Sequence, residues 1–205
     1  MGKLAVTFFA IGLLATVALG GVVVAPISVS TDMGEFDPLF PITALINPSD
    51  LTPSYVSGST DFDTYVASAP TTSNVWLSAI GVMSGNIIFN MGSSMELSSI
   101  AIWNADGTSA VVGFNLVGSN DSGFSNPVSL LSGATALDPG PVAYDFAPAT
   151  VQYVRMEVLS NAGSTLFTGM HDIVFEATTV PVPEPGAIAL VIASVIGTTL
   201  VRRRR

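Results

Sequence analysis

The centre of the chain alternates at the period of a β-strand. Between Gly85 and Gly92, Ile87, Phe89 and Met91 fall on one face; Ile100 and Ile102 alternate in the next run, and Val112, Phe114 and Leu116 follow. Successive side chains of a strand point to opposite faces, so each run presents an apolar face to a core. The runs are short. Turn signals lie between or after them at Asp106-Gly107, Asn120-Asp121-Ser122-Gly123 and Asp138-Pro139-Gly140. Later runs cover Val151 to Leu159 and His171 to Ala177; no stretch between Pro26 and Thr179 carries a convincing helical period, and no internal repeat is present. Short strands punctuated in this way predict an all-β chain folded as a sandwich or jelly roll.

The two ends differ from this middle. Lys3 followed by an uncharged stretch from Leu4 to Ala25 has the basic and apolar regions of a secretory signal peptide. Ala18-Leu19-Gly20 offers small residues for cleavage, whereas a cut after Ala25 would leave Pro26 first, which a signal peptidase disfavours. An uncleaved anchor is the alternative, because the stretch is long enough to span a membrane. At the other end, Pro183 and Pro185 hold the chain around Glu184 extended and accessible. The uncharged stretch from Ala187 to Val201 has 15 residues, roughly 22 Å as a helix against a hydrocarbon core of about 30 Å. Arg202 to Arg205 favour the cytoplasmic side. The expected organisation is a signal helix over 1–25, a β domain over 26–177, a proline-rich linker over 178–186, a transmembrane sorting helix over 187–201 and an arginine cluster over 202–205.

The tail from Val182 to Arg205 resembles the PEP-CTERM sorting signal of Gram-negative bacteria, with Pro183, Glu184 and Pro185 as the motif. The resemblance implies export across the inner membrane, recognition by an exosortase-type membrane peptidase that cuts near the motif, and a membrane anchor before processing. An ordinary C-terminal anchor on a proline-rich stalk is the plainer reading.

Charge narrows the partners. The full chain carries a net −9, but five of its six cations are Lys3 and the terminal arginines, so without both ends Arg155 stands alone. The part between is about −14 with Glu184 and about −13 without it. Such a surface repels nucleic acid, whose binding needs clustered Lys and Arg. Cysteine is absent, so cohesion rests on apolar packing.

A second resemblance covers roughly Asn47 to Ala177. The blocks Asn74-Val75-Trp76-Leu77, Asn86 to Gly92, Ile100 to Asn104, Gly118 to Asp121, Tyr153 to Val158 and Asp172 to Glu176 are similar in order to discoidin-like, galactose-binding-like domains. The resemblance implies a jelly-roll β-sandwich whose end loops bind carbohydrate, lipid or protein, and a structural calcium near an N-terminal loop. Glu176 is the acid that matches by position; with Asp61 and Asp63, which share a side if extended, it forms a candidate calcium trio. Solvated acids are the competing reading.

For ligand contacts, Tyr55, Tyr65 and Phe124 lie in turn-rich segments and are candidates for exposure. Trp76 and Trp103 sit in or beside strands that feed the core, so packing is expected of them before sugar stacking. Arg155 shares a strand face with Tyr153 and Glu157; a local ion pair is expected, and contact with a ligand carboxylate or hydroxyl is the alternative. Catalysis has little support. His171 is the single histidine, no Gly-x-Ser-x-Gly elbow occurs and a cysteine nucleophile is excluded. The expectation is a non-catalytic exported module that binds extracellular polysaccharide, with a structural matrix protein, or a glycoside hydrolase built on paired carboxylates, as alternatives.

Overall fold

A computed structural model describes residues 20–136 and 139–178. The sorting motif Pro183-Glu184-Pro185, the segment expected to cross the membrane and most of the expected signal segment lie outside the described residues. Among the described residues no helix is long and apolar enough to cross a membrane.

The strands are β1 (Val22–Val24), β2 (Ser28–Thr31), β3 (Leu51–Thr52), β4 (Thr71–Thr72), β5 (Trp76–Leu77), β6 (Gly85–Asn104), β7 (Gly113–Ser119), β8 (Val128–Thr135), β9 (Val142–Val158) and β10 (Gly169–Ala177). One antiparallel sheet runs β1-β10-β6-β9-β7-β8, with β2 added to β6 and β5 to β10. The sheet folds over into two layers at a bend in its long central strands β6 and β9. Pairing of β6 with β9 shifts register between Asn90 and Met95, where Gly92 takes φ 84°. On one side of the bend β6 pairs with β2 and the end of β9; on the other it pairs with β10 and the start of β9. The runs Gly85 to Gly92 and Ile100 to Asn104, expected as separate strands, are therefore two halves of one bent strand.

Inside the fold, Ile87, Phe89, Met91, Phe114, Leu116, Val154 and Met156 meet Leu97, Ile100, Ile102, Ile173 and Phe175 in one buried core. Burying such side chains is worth about 1.5–3 kcal/mol each, which is how a cysteine-free sandwich holds together. The second half of β6 is buried on both faces. Its outer face carries Ala101 and Trp103, which pack with Val174 of β10 under Leu51, Tyr55, Phe62 and Tyr65.

That cover includes the short helix α1 (Phe62–Ala67), where no helix was expected. Its signal is local: Asp61 caps the first turn by accepting from Thr64 N at 2.8 Å, and Phe62 and Tyr65, three apart, turn toward the sheet. The carboxyl of Asp61 is held below its usual range by its bonds with Thr64. Asp61→Ala is expected to lower the urea midpoint, because the Thr64 amide in the first turn loses its acceptor.

The start of the domain also moves. Val22 to Val24 pair with Ala177, Glu176 and Phe175 of β10, and Val23 is fully buried. These residues belong to the sandwich rather than to a segment running to Ala25. The Asp106-Gly107 turn is likewise not a hairpin. β6 and β7 do not pair; the connection crosses between layers, clamped by Asn104, whose amide donates to the carbonyls of Val111 and Ala136 and accepts from Val111 N.

Candidate functional site

Of the residues singled out for ligand contact, four are committed elsewhere. Tyr55 and Tyr65 are buried; their rings meet edge to face at 5.4 Å, and Tyr65 lies 6.3 Å from Trp103. Tyr55 lies in a loop and Tyr65 in α1, and both cover a sheet face, which is why turn-rich surroundings misread them. Burial pushes both phenols up, with the charge of Asp172 adding to it, Tyr65 to about 12. Phe124 is buried beneath Arg155, whose guanidinium carbon stands 4.7 Å from the ring centroid. Arg155 also bonds Glu157 at 2.8 Å, the local ion pair expected of it. Asp121 organises the loop beneath, accepting from the backbone of Gly123 and Ser125 and from the Ser119 hydroxyl. Both tryptophans are structural, with Trp76 donating to Gly34 O and Trp103 to Pro70 O.

The calcium trio does not fit calcium. Among the described residues no three His, Cys, Asp or Glu side chains converge on a possible metal position. Asp61 is spent as a helix cap; Asp63, in the first helical turn, no longer shares its side; Glu176 accepts from Ser98 Oγ at 2.8 Å.

What the fold brings together lies at the end of the sandwich where β6 leaves and β10 enters. Segments 35–50, 73–83 (which carries β5), 105–112 and 159–168 are tied there by backbone bonds, including Phe36 N to Leu77 O at 2.9 Å, Gly81 N to Leu166 O at 2.6 Å and Ser164 N to Thr108 O at 3.0 Å. Phe36, Leu39, Ile80, Met83, Leu159 and Leu166, six of the nine exposed large apolar side chains among the described residues, sit in these segments or beside them. Such a concentration marks a contact surface. Phe36 is 41% exposed, and its ring leans on Phe40 at 5.9 Å and Phe167 at 5.5 Å.

Two shallow hollows open in this end, on either side of Asn74 and Val75. The larger, about 330 Å³, has Pro38, Leu39 and Pro41 on an apolar wall and Asn47, Asp50 and Asn74 as polar groups. Asp50 is nearly buried, and its Oδ1 accepts from Asn74 Nδ2 at 2.7 Å. The smaller, about 270 Å³, sets Leu77 and Phe167 beside Asp106, Ser109 and His171. His171 Nδ1–H donates to the carbonyl of Asn74, which leaves Nε2 as the acceptor. Apolar walls with a few convergent polar groups fit a ligand that carries both C–H faces and hydroxyls.

Asp172, next to His171, is a different kind of acid. It is 1% exposed and its Oδ2 has no hydrogen-bond partner among the described residues. Burial, and after it the charge of Asp50, pushes its carboxyl up to about 8. A paired-carboxylate hydrolase needs both acids to flank the scissile bond; Asp172 lines neither hollow and is sealed from substrate.

The architecture has many solved counterparts. A chitosan-binding module from the chitosanase/glucanase of Paenibacillus sp. IK-5 superposes with a TM-score of 0.52 at 18% identity, over 76% of this chain and 97% of that one. A pectin-binding carbohydrate-binding module gives 0.53 at 15% identity, over 74% and 91%. The fold is the β-sandwich that these neighbours share. CBM32-3 from a family 31 glycoside hydrolase of Clostridium perfringens, at 0.52 and 14% identity over 75% and 90%, is similar again. Some such modules occur attached to enzymes, as in a chain that joins a CBM32 to an alginate lyase domain. No family model matches the sequence, and no curated protein matches it.

Proposed function

We propose that the protein is an exported, non-catalytic surface module that holds a neutral or amine-bearing polysaccharide against the Phe36–His171 end of its sandwich. The observation that carries this reading is the exposed Phe36 ring and its aromatic neighbours, set beside two hollows with polar groups. A sandwich end without exposed aromatics would have suited a purely structural matrix protein. The neighbours' fold supports carbohydrate as the ligand class.

Charge selects within that class. The hollows are lined by Asp50 and Asp106 and by no Lys or Arg, and the part of the chain between its two ends is strongly acidic. Uronate polymers such as the pectin of one neighbour's name are repelled at low salt, whereas the ammonium groups of a polymer such as chitosan, named for another, are attracted. Export through the N-terminal segment, and sorting by an exosortase-type peptidase at Pro183-Glu184-Pro185, place the module at the cell surface in this reading.

A panel of neutral, cationic and uronate polysaccharides tests it by affinity electrophoresis. Retardation is expected with the first two classes and not with the third. Phe36→Ala and His171→Ala are expected to weaken binding about tenfold, each worth about 1.4 kcal/mol, with melting temperatures within a few degrees of wild type. Binding that survives both substitutions, or a preference for uronates, contradicts the assignment.

A further inference from the structure

Two carboxylates of the expected metal trio flank the start of β1, one beside Gly20 and one beside Gly21. Strand β1 is fixed immediately after Gly21: Val23 N donates to Thr60 O at 2.8 Å, and Phe62 N donates to Gly21 O at 3.0 Å. Before it, the main chain runs between two acids. A Cβ at residue 21 would stand 2.0 Å from Glu176 Oε1, and one at residue 20 would stand 2.9 Å from Asp61 Oδ2. A side chain at either position would have to push that carboxylate aside. Each acid uses its other oxygen elsewhere, Glu176 Oε2 with Ser98 and Asp61 Oδ1 with Thr64 N. Arg155, the single cation between the two ends, is engaged with Glu157.

The small residues Ala18-Leu19-Gly20 end at this point. A cut after Ala25 would remove a buried strand, whereas a cut after Gly20 spares every pair that β1 makes with β10. We propose that the exported domain begins at Gly21, and that its new α-ammonium group is the counter-charge for Glu176 and Asp61. The step is a hydrolysis by the signal peptidase. The Gly20–Gly21 C–N bond breaks, water supplies hydroxyl to the Gly20 carbonyl carbon, and the Gly21 nitrogen leaves protonated. Processing thus creates an ion pair that the precursor lacks, and ties the first strand to the last by charge as well as by backbone bonds. This rests on the export reading above.

The chemistry gives a clean handle, because Lys3 is the chain's single lysine and leaves with the leader. After the cut, the α-amine of Gly21 is the protein's one primary amine. The full-length gene is expressed in an exporting Gram-negative host, and the exported protein is read by N-terminal sequencing, then melted before and after amine-selective acetylation. Gly21 is expected as the first residue. Acetylation is expected to lower the melting temperature by a few degrees at pH 6, less as the pH rises past the usual α-amino value of about 8, and to have little effect in Glu176→Gln. An uncut chain kept in the cell overturns both the export reading and this site; an exported chain starting elsewhere overturns the site alone. Equal melting with and without acetylation overturns the ion pair.

Discussion

Asp172→Asn is expected to melt at a clearly higher temperature than wild type at pH 8 and at nearly the same temperature at pH 4. The reason is a proton that folding must take up. In the unfolded chain the carboxyl titrates near 3.8; in the fold, burial and the neighbouring Asp50 push it to about 8. The folded value is raised, so the stabilising contribution of the protonated form is fully present below pH 3.8 and is lost as the pH rises through about 8. At about 1.4 kcal/mol per pH unit, the loss over that window amounts to several kcal/mol. Among the described residues Oδ2 has no hydrogen-bond donor to offset the charge. Asp61 and Asp121 act with the opposite sign. Hydrogen bonds depress their carboxyls, so their contribution is present above their unfolded values and is lost only as the pH falls through the depressed ones. Calorimetric melting from pH 4 to pH 9 separates the effects: wild type slopes downward, and Asp172→Asn is flatter. Parallel curves would show that Asp172 does not carry the slope.

Trp103→Ala is expected to cost about 3–5 kcal/mol, the range for removing a large buried aromatic. The ring is 2% exposed, lies under Tyr65 and donates to Pro70 O at 2.8 Å. Its loss leaves a void between the sheet and its cover and orphans the Pro70 carbonyl. A midpoint lowered by roughly 10 °C is expected for a domain of this size. Tyr55 and Tyr65 are then expected to become solvent-exposed, which fluorescence quenching reports. A Trp103→Ala protein that melts like wild type would contradict the cover's contribution.

The layers of the fold were legible in period-two patterning because the inner face of each strand is filled by side chains such as Ile87, Phe89 and Leu116. The cover was not. Its helix is six residues long, too short for a periodic signature, and is announced only by Asp61 before Phe62 and Tyr65. Tyr55 and Tyr65 were placed on the surface by the turns around them, and tertiary packing against Trp103 decided otherwise. The place of the proposed end-loop site is not legible in the sequence. Phe36 and Phe40 sit among the same turn signals that drew attention to the tyrosines, and no local pattern says which aromatic a second layer will cover. Asp50 and Asn74 are 24 positions apart in the chain and meet only through the fold. The Arg155–Glu157 ion pair is legible because Glu157 follows two residues later on the same strand face.

The central claim is that the Phe36–His171 end is the glycan-binding surface. Backbone amide shift mapping of the isotope-labelled exported protein, titrated with a chitosan oligosaccharide, tests it most directly. The account predicts saturable shifts confined to segments 35–50, 73–83 and 105–112 and to Phe167 and His171, with none around Phe124 and Arg155. Shifts centred on Arg155, or none at saturating sugar, would contradict it.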